Sequence, residues 1–256
     1  MSQPAEAMLT IRDLYRHFGG VLAVNGTSFT VPPGQITGLI GPNGAGKSTL
    51  LNIIAGALRP DAGTITYRGH DITGQPSYQV ARRGIIRTFQ VASEFAALTV
   101  LENLLVAAQL QRGERLWQAA LGKRYWKQQE RANVERARQL LARFDMSAKE
   151  DEYAGNLSGG QKRLLELMRG LMAEPALLLL DEPMAGVNPS LARRIERHML
   201  DLCGEGLTML MIEHELAVVE RLCDPVVVMA QGRVISQGTM ASVRADQEVL
   251  DAYLIG

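Results

Sequence analysis

Gly41-Pro42-Asn43-Gly44-Ala45-Gly46-Lys47-Ser48-Thr49 is the stretch on which the reading of this chain turns. It fits the pattern G-x-x-x-x-G-K-[ST], and each position has a physical task. Gly41, Gly44 and Gly46 admit backbone conformations closed to residues with a Cβ, so consecutive N–H groups can converge on one phosphate chain. Pro42, Asn43 and Ala45 complete the loop. Lys47 brings a charge to the β- and γ-phosphates and Ser48 a hydroxyl to Mg²⁺. The helix begun by Thr49-Leu50-Leu51 turns its positive end toward the anion. A bound nucleoside triphosphate is expected.

The surroundings support that reading. Gln35 to Ile40 reads as a buried strand and Leu50 to Leu58 as a helix, the strand–loop–helix setting that such a loop needs. A glycine-rich turn with a chance Lys-Ser would not require that setting. The chain has 256 residues and 46% apolar residues, which suits one α/β domain carrying an inserted lobe. Twenty-seven basic residues balance 27 acidic ones, so no global field draws the protein to nucleic acid or anionic lipid. Cys203 and Cys223 have no metal-type spacing and suit a reducing cytosol. The first 11 residues do not read as a signal peptide, and no uncharged apolar run approaches the roughly 18 residues of a membrane-spanning helix. A soluble chain is expected, with any membrane spans supplied by other chains.

Taken in order, Met8 to Leu14 and Val21 to Val31 read as strands around a turn at Phe18-Gly19-Gly20. Phe18 offers an aromatic face for a nucleobase, or packs the turn; sequence alone leaves both open. Thr64 to Tyr67 is a short strand, Pro76 to Arg83 a short helix, and Ile85 to Phe89 a strand with Gln90 at its end. Parallel α/β sheets place ligand groups at such strand ends, where the Gln90 amide can bind Mg²⁺ or orient a water.

From Val91 to Asn156 the pattern changes to helices. Thr99-x-x-Glu102 is a capping box ahead of an apolar stripe, and a second helix is expected from Lys127 to Phe144. Between them Arg112 to Arg131 holds six basic residues with Trp117 and Trp126. That composition suits a lipid, protein or nucleic-acid contact, or a solvated hairpin whose tryptophans tuck onto the lobe. Ser158-Gly159-Gly160-Gln161 then opens a helix through Met172, with Ser158 as N-cap and uncovered N–H groups at its positive end, a second anion site. Two copies packed head to tail would close one nucleotide between the Lys47 loop of one and the Ser158 helix of the other.

Ala176 to Leu180 is a fully apolar strand ending in Asp181-Glu182. Asp181 suits the Mg²⁺ hydration shell, and Glu182 suits the base on an attacking water. Another buried strand, Leu207 to Ile212, ends at Glu213-His214-Glu215. His214 either reaches the γ-phosphate or is a surface histidine flanked by solubilising acids. Val226 to Met229 and Arg233 to Ser236 form a hairpin, and the tail from Met240 is helical.

The ordered set of GPNGAGKST, Gln90, LSGGQ, LLLLDEP and His214 resembles the ATP-binding subunit of ABC transporters over nearly the whole chain. The resemblance implies a P-loop α/β fold with a mixed sheet, an antiparallel β subdomain and an inserted helical subdomain. It divides the chain into a RecA-like and β core (1–90 and 157–238), a helical subdomain (91–156) and a C-terminal tail (239–256). It implies ATP and Mg²⁺ as ligands, Phe18 stacked on adenine, Ser158 to Gln161 closing the opposite subunit's ATP, and Ser48, Gln90 and Asp181 around the metal. Glu182 becomes the catalytic base and His214 the switch histidine.

It also implies a second ATPase subunit, two membrane-spanning permease subunits and, indirectly, an extracytoplasmic binding protein, with the chain on the cytoplasmic face of the cell membrane and no nucleic-acid partner. A narrower likeness lies in Arg87-Thr88-Phe89-Gln90, the insert around Trp117, Gly186-Val187-Asn188-Pro189, Ile212-Glu213-His214 and Ala252-Tyr253-Leu254. These resemble the larger ATPase of branched-chain amino-acid importers, or of the related amide and urea importers. Asn188 stands where most ABC ATPases carry aspartate. A lipid-exporter ATPase, or a soluble ABC protein of translation or DNA repair, are the alternatives. The latter usually carry tandem domains or a coiled coil, which this chain lacks.

Overall fold

The computed structural model describes residues 7–88, 94–108 and 123–255, with the backbone alone for 123–127, 254 and 255. Gln90 and Trp117 lie outside the described residues, as does the Trp126 side chain. The chain divides into two compact units, one of 1–90, 176–185 and 196–256, the other of 91–175 and 186–195.

Two sheets build the first unit. An antiparallel sheet has the order β2-β1-β4-β5, from β1 (Leu9–Phe18), β2 (Val21–Val31), β4 (Ala62–Tyr67) and β5 (His70–Asp71). The second sheet comprises β3 (Ile36–Ile40), β6 (Ile85–Arg87), β7 (Leu177–Asp181), β8 (Thr208–Ile212), β9 (Val226–Ala230) and β10 (Arg233–Gly238). Its order is β10-β9-β3-β8-β7-β6, parallel throughout except that β10 runs antiparallel to β9. All five residues of β3, β7 and β8 are buried. This explains their largely apolar runs, since parallel strands are covered on both faces. Burying the four leucines of β7 contributes about 6–12 kcal/mol, comparable with the whole net stability of a domain. The carboxylates at the end of β7 are therefore anchored by the core rather than by a loop.

Helices α1 (Lys47–Ile54), α2 (Ser77–Arg82), α7 (Leu216–Leu222), α8 (Met240–Arg244) and α9 (Gln247–Ile255) complete this unit. Helix α1 lies earlier than the apolar pattern of Leu50 to Leu58 suggested. Gly46 is its N-cap in the left-handed region, which starts the helix inside the phosphate-loop motif, and Gly56 at φ 72° ends the turn that follows. Strand β6 stops at Arg87, although the Thr88 N–H still donates to the Leu179 carbonyl at 3.0 Å.

The second unit holds α3 (Val100–Val106), α4 (Lys123–Arg143) and α5 (Gly159–Met172), and α6 (Pro189–Gly204) begins in it and ends in the first. It takes in 157–175 and 186–195 beyond the expected 91–156. Helix α5 packs against α3 and α4, and its Leu164, Leu165 and Met168 are buried, as are Leu104, Leu141 and Phe144. The capping box at α3 is formed: the Glu102 N–H donates to Thr99 Oγ1 at 3.1 Å, and the Thr99 N–H to Glu102 Oε2 at 2.7 Å. Among the described residues no helix is long and apolar enough to cross a membrane.

Candidate active site

The strand order decides the site. With β3, β8, β7 and β6 side by side and parallel, the phosphate loop after β3, Glu213-His214 after β8 and Asp181-Glu182 at the end of β7 share one sheet edge, the carboxyl ends where α/β sheets bind ligands. Asp181 pairs in register with Ile212, and the Glu182 N–H donates to the Ile212 carbonyl at 3.0 Å. This lock between strands brings Glu182 and His214 together, with His214 Nε2 at 2.9 Å from Glu182 Oε1.

The loop is built for close backbone packing. A Cβ on Gly41, at φ 146°, would lie 2.0 Å from the Met229 carbonyl oxygen, and one on Gly46, at φ 97°, 2.2 Å from that of Ala23. No side chain fits at either position without moving backbone. Lys47 is buried, and its Nζ donates to the carbonyls of Gly41 at 2.8 Å and Pro42 at 2.9 Å. Burial pushes its pKa below 10.5, opposed by the charges of Glu182 and Asp181. Lys47, Asp181 and Glu182 are thus one electrostatic group.

Asp181 is only 1% exposed, and the two oxygens of its carboxylate differ. Oδ2 accepts from Arg87 Nη2 at 2.9 Å, whereas buried Oδ1 has no hydrogen-bond partner among the described residues. An orphaned buried carboxylate oxygen beside a phosphate loop fits a hydrated Mg²⁺, which takes oxygen ligands and keeps several waters. Ser48 stands in the first turn of α1 with its hydroxyl in the same unit.

Phe18 ends β1 and is 44% exposed, with the Arg16 guanidinium 5.0 Å from its ring centroid. It is not a buried turn residue. Asp61 fixes the approach to it, accepting from the His17 N–H and from Arg16 Nη1, both at 2.7 Å. The His17 N–H bond, first of all, holds the Asp61 carboxyl below its ordinary range.

Ser158, Gly159, Gly160 and Gln161 lie in the second unit, at the start of α5. They form a capping box in which the Ser158 N–H donates to Gln161 Oε1 at 2.9 Å, so the Gln161 side chain is engaged within its own turn. Asn188 precedes α6, and its Oδ1 accepts from the Leu191 N–H at 2.9 Å and the Ser190 hydroxyl at 2.8 Å. Its side chain works as a helix cap, a role for which asparagine and aspartate serve about equally well.

Two features escaped the sequence reading. Glu213 is buried, not solvating: its Oε1 accepts the Met184 N–H at 3.0 Å and its Oε2 the His214 N–H at 3.3 Å. Burial raises its pKa above 4.5 against those two bonds. It pins the backbone on both sides of the Glu182–His214 pair. The other feature is the Arg87–Asn52 contact behind Asp181, which joins residues far apart in sequence.

A phosphate loop between a buried strand and a helix, with paired carboxylates ending a neighbouring parallel strand, defines a P-loop ATP-binding protein. The profile of the family described as "ABC transporter" matches residues 24–185. The chain is 38% identical to the probable branched-chain amino acid transport ATP-binding protein LivG of Archaeoglobus fulgidus, over 96% of this chain and 95% of that one. It is 37% identical to the high-affinity branched-chain amino acid transport ATP-binding protein LivG of Escherichia coli K12, over 99% of both. A solved nucleotide-free ATP-binding cassette from an ABC transporter superposes with a TM-score of 0.84 at 38% identity, covering 96% of this chain and 98% of that one. An ATP-binding cassette in its ADP conformation gives 0.82 at 36% identity, covering 97% and 98%. The chain belongs to the ATP-binding subunits of ABC transporters, ATPases that couple nucleotide hydrolysis to transport.

Proposed function

We propose that this chain powers an importer of branched-chain or other hydrophobic amino acids from the cytoplasmic face of the cell membrane. The observation that carries the reading is the likeness to LivG proteins, end to end rather than in the motifs alone. In this reading Gly41 to Thr49 wrap the triphosphate, Lys47 neutralises its terminal oxygens and Phe18 stacks on adenine. Ser48, Asp181 and Gln90 hold the Mg²⁺, which supplies charge neutralisation at the β- and γ-phosphates when bound. Glu182 accepts the proton of the attacking water. With its proton on Nε2, His214 donates to the Glu182 carboxylate and holds it toward that water.

The site is completed by a second ATPase subunit, whose Ser158 to Gln161 equivalent offers helix N–H groups to the γ-phosphate. The helical unit then drives two membrane-spanning permease subunits, which receive substrate from an extracytoplasmic binding protein. No nucleic acid takes part.

Purification of the tagged chain from its native membranes, with mass spectrometry of what accompanies it, tests the reading. Recovery of two permease subunits and a binding protein selective for leucine, isoleucine or valine is expected. A binding protein selective for urea or amides would redirect the substrate. Recovery of lipid-export, ribosomal or DNA-repair components would remove the importer.

A further inference from the structure

We propose that Arg87 is a positioning residue for the metal–nucleotide site, holding Asp181 and the Ser48 turn in one hydrogen-bonded frame. The frame can be followed atom by atom within the first unit. Arg87, the last residue of β6, donates through Nη2 to Asp181 Oδ2 at 2.9 Å and through Nη1 to Asn52 Oδ1. Asn52, on α1, donates through Nδ2 to the Ser48 carbonyl at 2.9 Å. One planar guanidinium thereby spans the two segments that carry the expected metal ligands, Ser48 and Asp181. A fork of this shape makes two directed bonds at once, which an ammonium cannot do in the same geometry.

The consequence for Asp181 is orientational. Its side chain is fully buried and that of Arg87 is 15% exposed, so the pair sits in a medium where direction matters. With Oδ2 occupied by Arg87, Oδ1 is the oxygen left without a partner among the described residues. The nearby competing cation is Lys47, on the phosphate loop that shares the carboxyl edge of the sheet with Asp181. Without Arg87 the carboxylate would turn to Lys47, removing from the site both the oxygen meant for the metal and the ammonium meant for phosphate. Arg87 thus keeps two oppositely charged site residues from cancelling each other.

This inference rests on the reading of Asp181 and Ser48 as metal ligands, and the experiment separates the two. Mn²⁺ affinity is measured by electron paramagnetic resonance on the purified chain saturated with a non-hydrolysable ATP analogue, and nucleotide affinity is measured separately in EDTA. Asp181→Asn tests the ligand reading. Arg87→Gln, Arg87→Lys and Asn52→Ala test the frame.

Arg87→Gln is expected to weaken Mn²⁺ about tenfold or more, the usual effect of losing a partner behind a metal ligand. Metal-free nucleotide affinity should change much less. Arg87→Lys, keeping charge but not the fork, should restore only part of the loss. Asn52→Ala, which leaves the Asp181 bond intact, should weaken Mn²⁺ by a smaller factor, and it carries the test if Arg87→Gln does not fold. Unchanged or tighter Mn²⁺ binding in Arg87→Gln, or in Asn52→Ala if that variant must serve, with Asp181→Asn impaired, overturns the frame. Unchanged binding in Asp181→Asn overturns the ligand reading beneath it.

Discussion

Replacing Glu182 by glutamine separates what this side chain does in hydrolysis from what it does in the fold. The Glu182 backbone stands at φ 50°, in the left-handed region, and glutamine meets the same cost there, so stability should not move. The amide oxygen can still accept from His214 Nε2 across the 2.9 Å gap, so the pair persists. What disappears is the ability to take a proton, together with one full negative charge. A positioned general base contributes about 10²–10⁴ in rate, or about 2.7–5.4 kcal/mol of barrier at about 1.36 kcal/mol per decade. The lost charge acts in the other direction on binding, because the Glu182 carboxylate repels an incoming polyphosphate beside Lys47. Glu182→Gln should therefore bind ATP at least as tightly as the parent and lose at least 99% of single-turnover hydrolysis, a floor set by the lower end of about 10². Single-turnover chemistry on the purified transporter complex, with nucleotide binding measured in parallel, reads both quantities. Turnover within about threefold of the parent, less than 1 kcal/mol of barrier, would refute Glu182 as the base.

Three further outcomes follow from the geometry. Gly41→Ala and Gly46→Ala each drive a Cβ into a backbone carbonyl and should cost about 3 kcal/mol or more, lowering Tm by roughly 6–12 °C. Gly44→Ala, whose Cβ would meet nothing beyond its chain neighbours within 4 Å among the described residues, should cost clearly less in the same thermal melts. Asn188→Ala should lose about 1 kcal/mol through its cap on α6, while Asn188→Asp should match the parent or exceed it slightly by charge at a helix N-terminus, as denaturant titration will show. For Glu213 the folded pKa is raised above 4.5, so the folded state binds the extra proton and this residue's contribution falls as pH rises from 4.5 toward the folded value. The stability of the parent minus that of Glu213→Gln should decline over that range in melts at stepped pH; a difference that is flat or rises would contradict it.

How far the sequence carried the account depended on whether the cause was local. The phosphate loop, the apolar strands β3, β7 and β8, the capping box at Thr99 and the N-cap at Ser158 are set by neighbours within a few residues, and each was readable. Helix α6 was missed although its start was written in Asn188-Pro189, a cap followed by proline at the first helical position. Helix α7 offered less: it spans seven residues and lacks a capping side chain. Glu213 entered the sequence reading only as a solubilising acid in one of the two alternatives for His214, because it stands among charged residues. Only the pairing of β8 with β7 brings the Met184 amide to it, 29 positions away in sequence. Arg87 is the same case at longer range, since its partners Asn52 and Asp181 lie 35 and 94 positions off and nothing local marks them.

The central claim is that ATP hydrolysis at this site drives import of a branched-chain amino acid. Uptake of radiolabelled leucine, isoleucine and valine by source cells lacking the chain, then re-supplied with the parent, Lys47→Ala or Glu182→Gln, tests it most directly. Uptake should be lost on deletion, restored by the parent and by neither variant. Full uptake of all three amino acids in the deleted cells, where no second importer for them operates, would contradict the account.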